Sequence, residues 1–177
     1  MSKIKIPNIF LIGFMGCGKS TVARELNRQY NMPVIEMDQL IAEQEGMTIP
    51  EIFSTHGEGY FRELETKLLA SLADQSGCVI SCGGGVAMRE ENVVLMKRHG
   101  YTALLTASPE TILGRVERGN DRPLLNGHKN VADISALLNQ RLPKYIAAAD
   151  FTVPTDNMSA AVLAVQVYEK AVSLSNQ

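Results

Sequence analysis

The sequence predicts an α/β domain: a parallel sheet with helices on both faces. Three observations carry that reading. Short apolar runs at residues 9–12, 34–37, 78–81, 101–105 and 151–153 alternate with longer amphipathic stretches, the order in which helical crossovers join parallel strands. The first run leads into Gly13-Phe14-Met15-Gly16-Cys17-Gly18-Lys19-Ser20, which fills the phosphate-binding pattern G-x-x-x-x-G-K-[ST]. The third run meets Gly83-Gly84-Gly85 at the carboxyl end of a strand, where open α/β sheets bind ligands.

Length and composition agree. A chain of 177 residues, 45% hydrophobic and 20% charged, fits one domain spanning 1–177 with its own core. A net charge of −2 and a pI near 5.9 point away from a nucleic-acid partner. No apolar run approaches the roughly 18 residues of a membrane span. The start from Lys3 to Ile12 is basic, then apolar, and runs straight into the phosphate loop. A cleaved export signal would destroy that loop, so the chain reads as cytoplasmic. Three cysteines without framework spacing fit free thiols in a reducing compartment, with Cys78 and Cys82 as core residues.

Taken in order, residues 9–12 form a buried strand, and a helix follows with Val22, Leu26 and Tyr30 at helical spacing. Between them, Gly13, Gly16 and Gly18 let the backbone turn sharply and approach an anion. The loop amides, including those of Met15 and Cys17, cradle phosphate oxygens at the positive end of the helix. Lys19 neutralises the phosphates, Ser20 ligates Mg²⁺, and Thr21 completes the loop. Asn31 and Pro33 break the helix. The strand at 34–37 ends at Asp38, which caps a helix over 39–45 that Gly46 stops. Thr48-Ile49-Pro50-Glu51 is a capping box opening a short helix, stopped by Gly57 and Gly59. Residues 60–72 form a longer amphipathic helix. Asp74-Gln75-Ser76-Gly77 resembles a GTPase D-x-x-G but precedes its strand, so it reads as a turn.

After the glycine triplet, residues 89–99 form a helix ended by Gly100. The strand at 101–105 follows, and Ser108-Pro109 starts the next helix. Residues 115–130, crowded with glycine, asparagine and the charges of Arg115, Arg118, Arg122 and Lys129, read as a mobile excursion over the site. Residues 131–145 are helical with Pro143 weakening the end, 151–153 form the last strand, and 159–174 the closing helix.

A phosphate loop alone does not choose between kinase, GTPase and motor. No Asn-Lys-x-Asp guanine signature is present, and the small size with an Arg-rich excursion favours a small-molecule kinase. Asp38, at a strand end beside the loop, is the carboxylate suited to orient and deprotonate an attacking hydroxyl.

Six pieces in order then resemble the shikimate kinase family, over nearly the whole chain. They are the loop from Gly13 to Thr21, Glu36-Met37-Asp38, Phe61-Arg62-Glu63-Leu64-Glu65, Ser81-Cys82-Gly83-Gly84-Gly85, Arg122-Pro123-Leu124-Leu125, and Arg141-Leu142-Pro143-Lys144-Tyr145. The resemblance implies a three-layer sandwich of nucleoside-monophosphate-kinase type: a P-loop NTPase with a five-stranded parallel sheet. It also implies a substrate region at about 38–72 and a mobile lid at about 115–130. The activity it implies is ATP-dependent phosphorylation of the shikimate 3-hydroxyl, with Mg²⁺, in aromatic amino acid biosynthesis. Shikimate carries one carboxylate, best held by planar guanidinium forks. The family pattern gives that role to Arg62 and Arg141, and close backbone approach to Gly83, Gly84 and Gly85. It gives contact with the transferred phosphoryl to Arg122 and adenine stacking to Arg118 or Arg115. The family's usual Asp-x-Asp is here Glu36-Met37-Asp38, so the position that supports Mg²⁺ through water gains a methylene. The expected partner is shikimate, bound by a monomer without nucleic acid or membrane. The competing readings are a gluconate-kinase-like enzyme and a nucleotide-binding module without catalysis. The glycine triplet and the arginine pair oppose the first, and the presence of Lys19 and Asp38 opposes the second.

Overall fold

The computed structural model describes residues 6–72, 74–118 and 130–177. Strand β1 (Asn8–Ile12) leads to α1 (Lys19–Tyr30), β2 (Val34–Glu36), α2 (Met37–Glu45), α3 (Ile49–Ser71) and β3 (Val79–Ser81). A 3₁₀ turn (Val86–Met88) opens α4 (Glu90–His99), then β4 (Gly100–Thr106), α5 (Pro109–Val116), α6 (Val131–Ala148), β5 (Phe151–Pro154) and α7 (Ala160–Ser175).

The five strands make one parallel sheet in the order β2-β3-β1-β4-β5. β1 lies in the middle, with Phe10 level with Ile80 on one side and Thr102 on the other. All five of its residues are buried, as its unbroken apolar run requires. The chain leaves β1 toward β3 and β2 first and returns later to β4 and β5. The loops after β1 and β3 therefore open side by side at a switch point, the usual ligand position in such sheets. At the opposite, amino end of these strands Asn8 sets the entry to β3: its side chain donates to the Gln75 carbonyl at 2.9 Å and accepts the Cys78 amide at 3.0 Å. The segment before β3 is thus a turn. On the far side, Tyr30 of α1 stacks on Tyr168 of α7 at 3.7 Å between centroids. Among the described residues no helix is long and apolar enough to cross a membrane.

The Thr48–Glu51 capping box forms as predicted, with Thr48 N donating to Glu51 Oε2 at 2.7 Å and Glu51 N to Thr48 Oγ1 at 3.3 Å. Beyond one-residue shifts at element ends, four differences from the sequence reading matter. α2 begins at Met37, with Glu36 extended before it, so Asp38 stands inside the first turn and is not the cap. The fully buried Met37 draws the turn in two residues early, and the acid gains from the helix's positive end instead. The two helices expected around Gly57 run as α3 across a kink: Gly57 alone leaves helical dihedrals (φ 83°, ψ 171°), and Gly59 does not stop the helix. Arg115 belongs to α5, because helical structure continues to Val116. α6 continues past Tyr145 to Ala148; burial of Tyr145 and Ala148 outweighs the ladder bond that Pro143 cannot donate.

Candidate active site

The carboxyl ends of β1, β2 and β3 face a cleft of about 1030 Å³. Its wall begins with the loop from Gly13 to Ser20. Gly13, Gly16 and Gly18 have φ of 142°, 78° and 96°, and a side chain on Gly13 would run into the Leu105 carbonyl. Lys19, almost fully buried, donates from Nζ to the Gly13 carbonyl at 2.7 Å and the Phe14 carbonyl at 3.0 Å. Arg115 reaches in from α5 and donates to the Gly16 carbonyl at 3.0 Å and to Thr155 Oγ1 at 3.1 Å. The Thr155 hydroxyl lies 3.0 Å from the Cys17 carbonyl. The loop's shape is therefore fixed by the protein's own donors. Cys17 points into the core, and burial pushes its thiol up.

Ser20 Oγ donates to Glu36 Oε2 at 3.0 Å and lies 3.5 Å from Ser81 Oγ. The start of α1 and the ends of β2 and β3 thus bring two hydroxyls and a carboxylate together. Among the described residues no group of three or more His, Cys, Asp or Glu could hold a metal alone. A hydroxyl and one carboxylate suit Mg²⁺, which usually takes one or two protein oxygens and completes its shell with phosphates and water.

Deeper in the cleft stand the acids. A side-chain carbon added to Gly83 would sit 2.5 Å from Glu65 Oε1 and 2.8 Å from Asp38 Oδ1, so the two carboxylates flank this glycine. Glu65 has no solvent exposure. Its Oε2 accepts Arg62 Nη1 at 2.7 Å, and its Oε1 has no partner. Burial pushes this carboxyl up to about 7; Arg62 pulls it back and Asp38 adds to the rise. Arg62 is held on its other side by Glu58 at 3.0 Å, and its guanidinium fills the space a side chain on Gly85 would need. Arg141, from α6, lies over the Phe14 ring at 5.7 Å. Its Nη1 is buried without a partner, 3.8 Å from where a side-chain carbon on Gly84 would lie.

The structure thus lines one cleft with Met15, Gly16, Gly18, Lys19, Ser20, Thr21, Asp38, Arg62, Gly83, Gly84 and Gly85. Gly13 and Cys17 belong to the loop but do not line the cleft, Cys17 being buried in the core, and Arg141 packs beside Gly84 and over Phe14. Arg118 does not join them: it is exposed in the turn after α5 and does not line the cleft. Arg122 and most of the expected lid lie outside the described residues. Sequence reasoning missed the placement of Glu65, Ser81 and Thr155, and it gave Arg115 to adenine stacking, whereas Arg115 donates to the Gly16 carbonyl and Thr155. Glu65 had a signal, as an acid three residues after Arg62, facing the same way along one helix. Thr155 had none, because it meets the phosphate loop only through the fold.

The family model described as shikimate kinase matches residues 15–172. A shikimate kinase of Dehalococcoides mccartyi is 38% identical over 174 residues, covering 98% of each chain. One from a Sulfurihydrogenibium species is 39% identical, covering 93% of this chain and 98% of its own. The solved structure of shikimate kinase from Acinetobacter baumannii in complex with shikimate superposes with a TM-score of 0.89 at 34% identity, covering 97% of this chain and 95% of that one.

Proposed function

The chain belongs to the shikimate kinase family, and on that premise we propose the part each residue plays in phosphorylating the 3-hydroxyl of shikimate with ATP. The observation that carries the reading is the pairing of a complete phosphate loop with two guanidiniums and a carboxylate ranged along Gly83, Gly84 and Gly85. A triphosphate and a carboxylated polyol need those two halves.

The loop from Gly13 to Thr21 binds the ATP phosphates, and Lys19 moves its charge from the loop carbonyls onto them. Ser20 and Glu36 would hold Mg²⁺, which would supply charge neutralisation for the phosphates. The longer Glu36 side chain brings its carboxylate within hydrogen-bond distance of Ser20. Arg62 and Arg141 grip the shikimate carboxylate; the unpartnered Nη1 of Arg141 supports this, since a buried donor without an acceptor is costly. Asp38 accepts the proton of the 3-hydroxyl as that oxygen bonds to the γ-phosphorus. The bond from that phosphorus to the bridging oxygen breaks, and ADP leaves. Arg122 contacts the transferred phosphoryl, a role supported by the family pattern. Three buried free cysteines fit a reducing, cytoplasmic setting.

An ATP-consumption panel with shikimate, quinate, gluconate and nucleoside monophosphates tests this. Shikimate alone should turn over efficiently. Equal or faster turnover of gluconate or a nucleoside monophosphate would reject the reading.

A further inference from the structure

Tyr145 is buried to 1% exposure on α6, one helical turn beyond Arg141. A phenylalanine would fill the same volume. The hydroxyl instead donates to the carbonyl of Gly84, 61 residues away in sequence, at 2.5 Å. The neighbouring carbonyls of the triplet are already engaged: Gly83 accepts the Val86 amide at 3.1 Å and Gly85 the Met88 amide at 3.0 Å. Tyr145 takes the one between them. Without side chains, these three residues have little else to fix their backbone.

Residues four apart on a helix share a face. Tyr145 therefore grips the middle of the loop while Arg141, on the same face, keeps its Nη1 buried and unpartnered beside Gly84. Gly84 in turn stands between that guanidinium and the phosphate loop, with the Gly13 carbonyl and the Met15 amide each 3.8 Å from its missing side chain. Moving the Gly84 carbonyl would change the gap between Arg141 and the rest of the site. We propose that Tyr145 is a positioning residue for substrate binding: its hydroxyl holds the glycine triplet at the distance from Arg141 that the substrate carboxylate requires. The inference rests on the reading of Arg141 as a carboxylate ligand. The phenol also touches the Arg141 guanidinium directly; burial pushes it up to about 12 although Arg141 pulls it back, so it remains a donor at any ordinary assay pH.

The test compares Tyr145→Phe, Arg141→Lys and Tyr145 replaced by 4-aminophenylalanine, which keeps a donor at the same point. For Tyr145→Phe the shikimate KM should rise about three- to tenfold, the worth of one hydrogen bond. The ATP KM and kcat should stay within about twofold, and 4-aminophenylalanine should recover most of the shikimate KM. A silent Tyr145→Phe beside a damaging Arg141→Lys overturns the inference and leaves the site reading standing. Two silent variants overturn both. A Tyr145→Phe that changes both KM values and kcat together, without recovery by 4-aminophenylalanine, makes the phenol a core residue only and also overturns it.

Discussion

Glu65 gives the most quantitative test. Its carboxyl is fully buried, one oxygen has no partner, and burial raises it from an ordinary 4.5 to about 7 despite the Arg62 contact. Between those values the folded protein holds a proton on Glu65 that the unfolded chain has lost. The stability this group contributes is therefore complete below about pH 4.5 and is lost as pH rises through about 7. At about 1.4 kcal/mol per pH unit, the gap is worth roughly 3 kcal/mol. Glu65→Gln keeps the shape and a hydrogen bond to Arg62 but cannot ionise. Variant and wild type should be about equally stable at pH 5. By pH 8 the variant should be more stable by up to roughly 3 kcal/mol, about 6–12 °C in Tm for a chain of this size. A second effect reaches the substrate. Ionised Glu65 competes with the shikimate carboxylate for Arg62, so the wild-type shikimate KM should climb between pH 6 and 8 while that of the variant stays flatter. The charges facing Glu65 are Arg62, Asp38 and Arg89, and the variant alters none of them directly. Urea unfolding at pH 5, 6, 7 and 8, with shikimate KM at each pH, makes the comparison. Parallel stability curves for the two proteins would refute the argument.

Three further outcomes follow from the same geometry. Lys19→Ala should lower kcat by about 10²–10³, the loss of one charge aimed at developing phosphate charge; near-normal turnover in a coupled ADP assay would remove its role. Asp38→Asn should lower kcat by about 10²–10⁴ with ATP affinity and melting little changed, since Asp38 is not the cap of α2; turnover above about a third of wild type would dismiss it as the base. Gly85→Ala should displace the Arg62 guanidinium and lower kcat/KM for shikimate about ten- to a hundredfold, the worth of a charge-assisted contact, with ATP binding intact. Isothermal titration with each ligand separately checks that last split.

Much of this was legible in the sequence because it is local. The phosphate loop, the capping box and the alternation of apolar runs with helices are short-range patterns, and each appears where the residues place it. The start of α2 was misread because its cap lies two residues earlier than Asp38, which burial of Met37 decides. Arg115 was misread because polar composition after α5 looked like a loop. Its bonds to the Gly16 carbonyl and to Thr155 span 99 and 40 residues, and no local pattern encodes them. Glu36 was legible as a departure from the family, but its contact with Ser20 needed the ends of two elements to meet.

The glycine triplet joins these threads. In the sequence it reads as a place where backbone approaches a ligand. In the structure two of them clear space for functional groups, Gly83 for Glu65 and Asp38 and Gly85 for Arg62, while a side-chain carbon on Gly84 would meet Arg141 and the phosphate loop only at ordinary contact distance. Every carbonyl of the triplet is bound, two by the following 3₁₀ turn and one by Tyr145. Three glycines in a row would ordinarily give a mobile segment. Here the carbonyls supply the rigidity that side chains cannot, and the missing side chains supply the room. Two acids and two guanidiniums can then approach one strand end, although their charges and bulk would otherwise keep them apart. Replacing Gly83 or Gly85 should therefore disturb the functional group above it before it disturbs the fold.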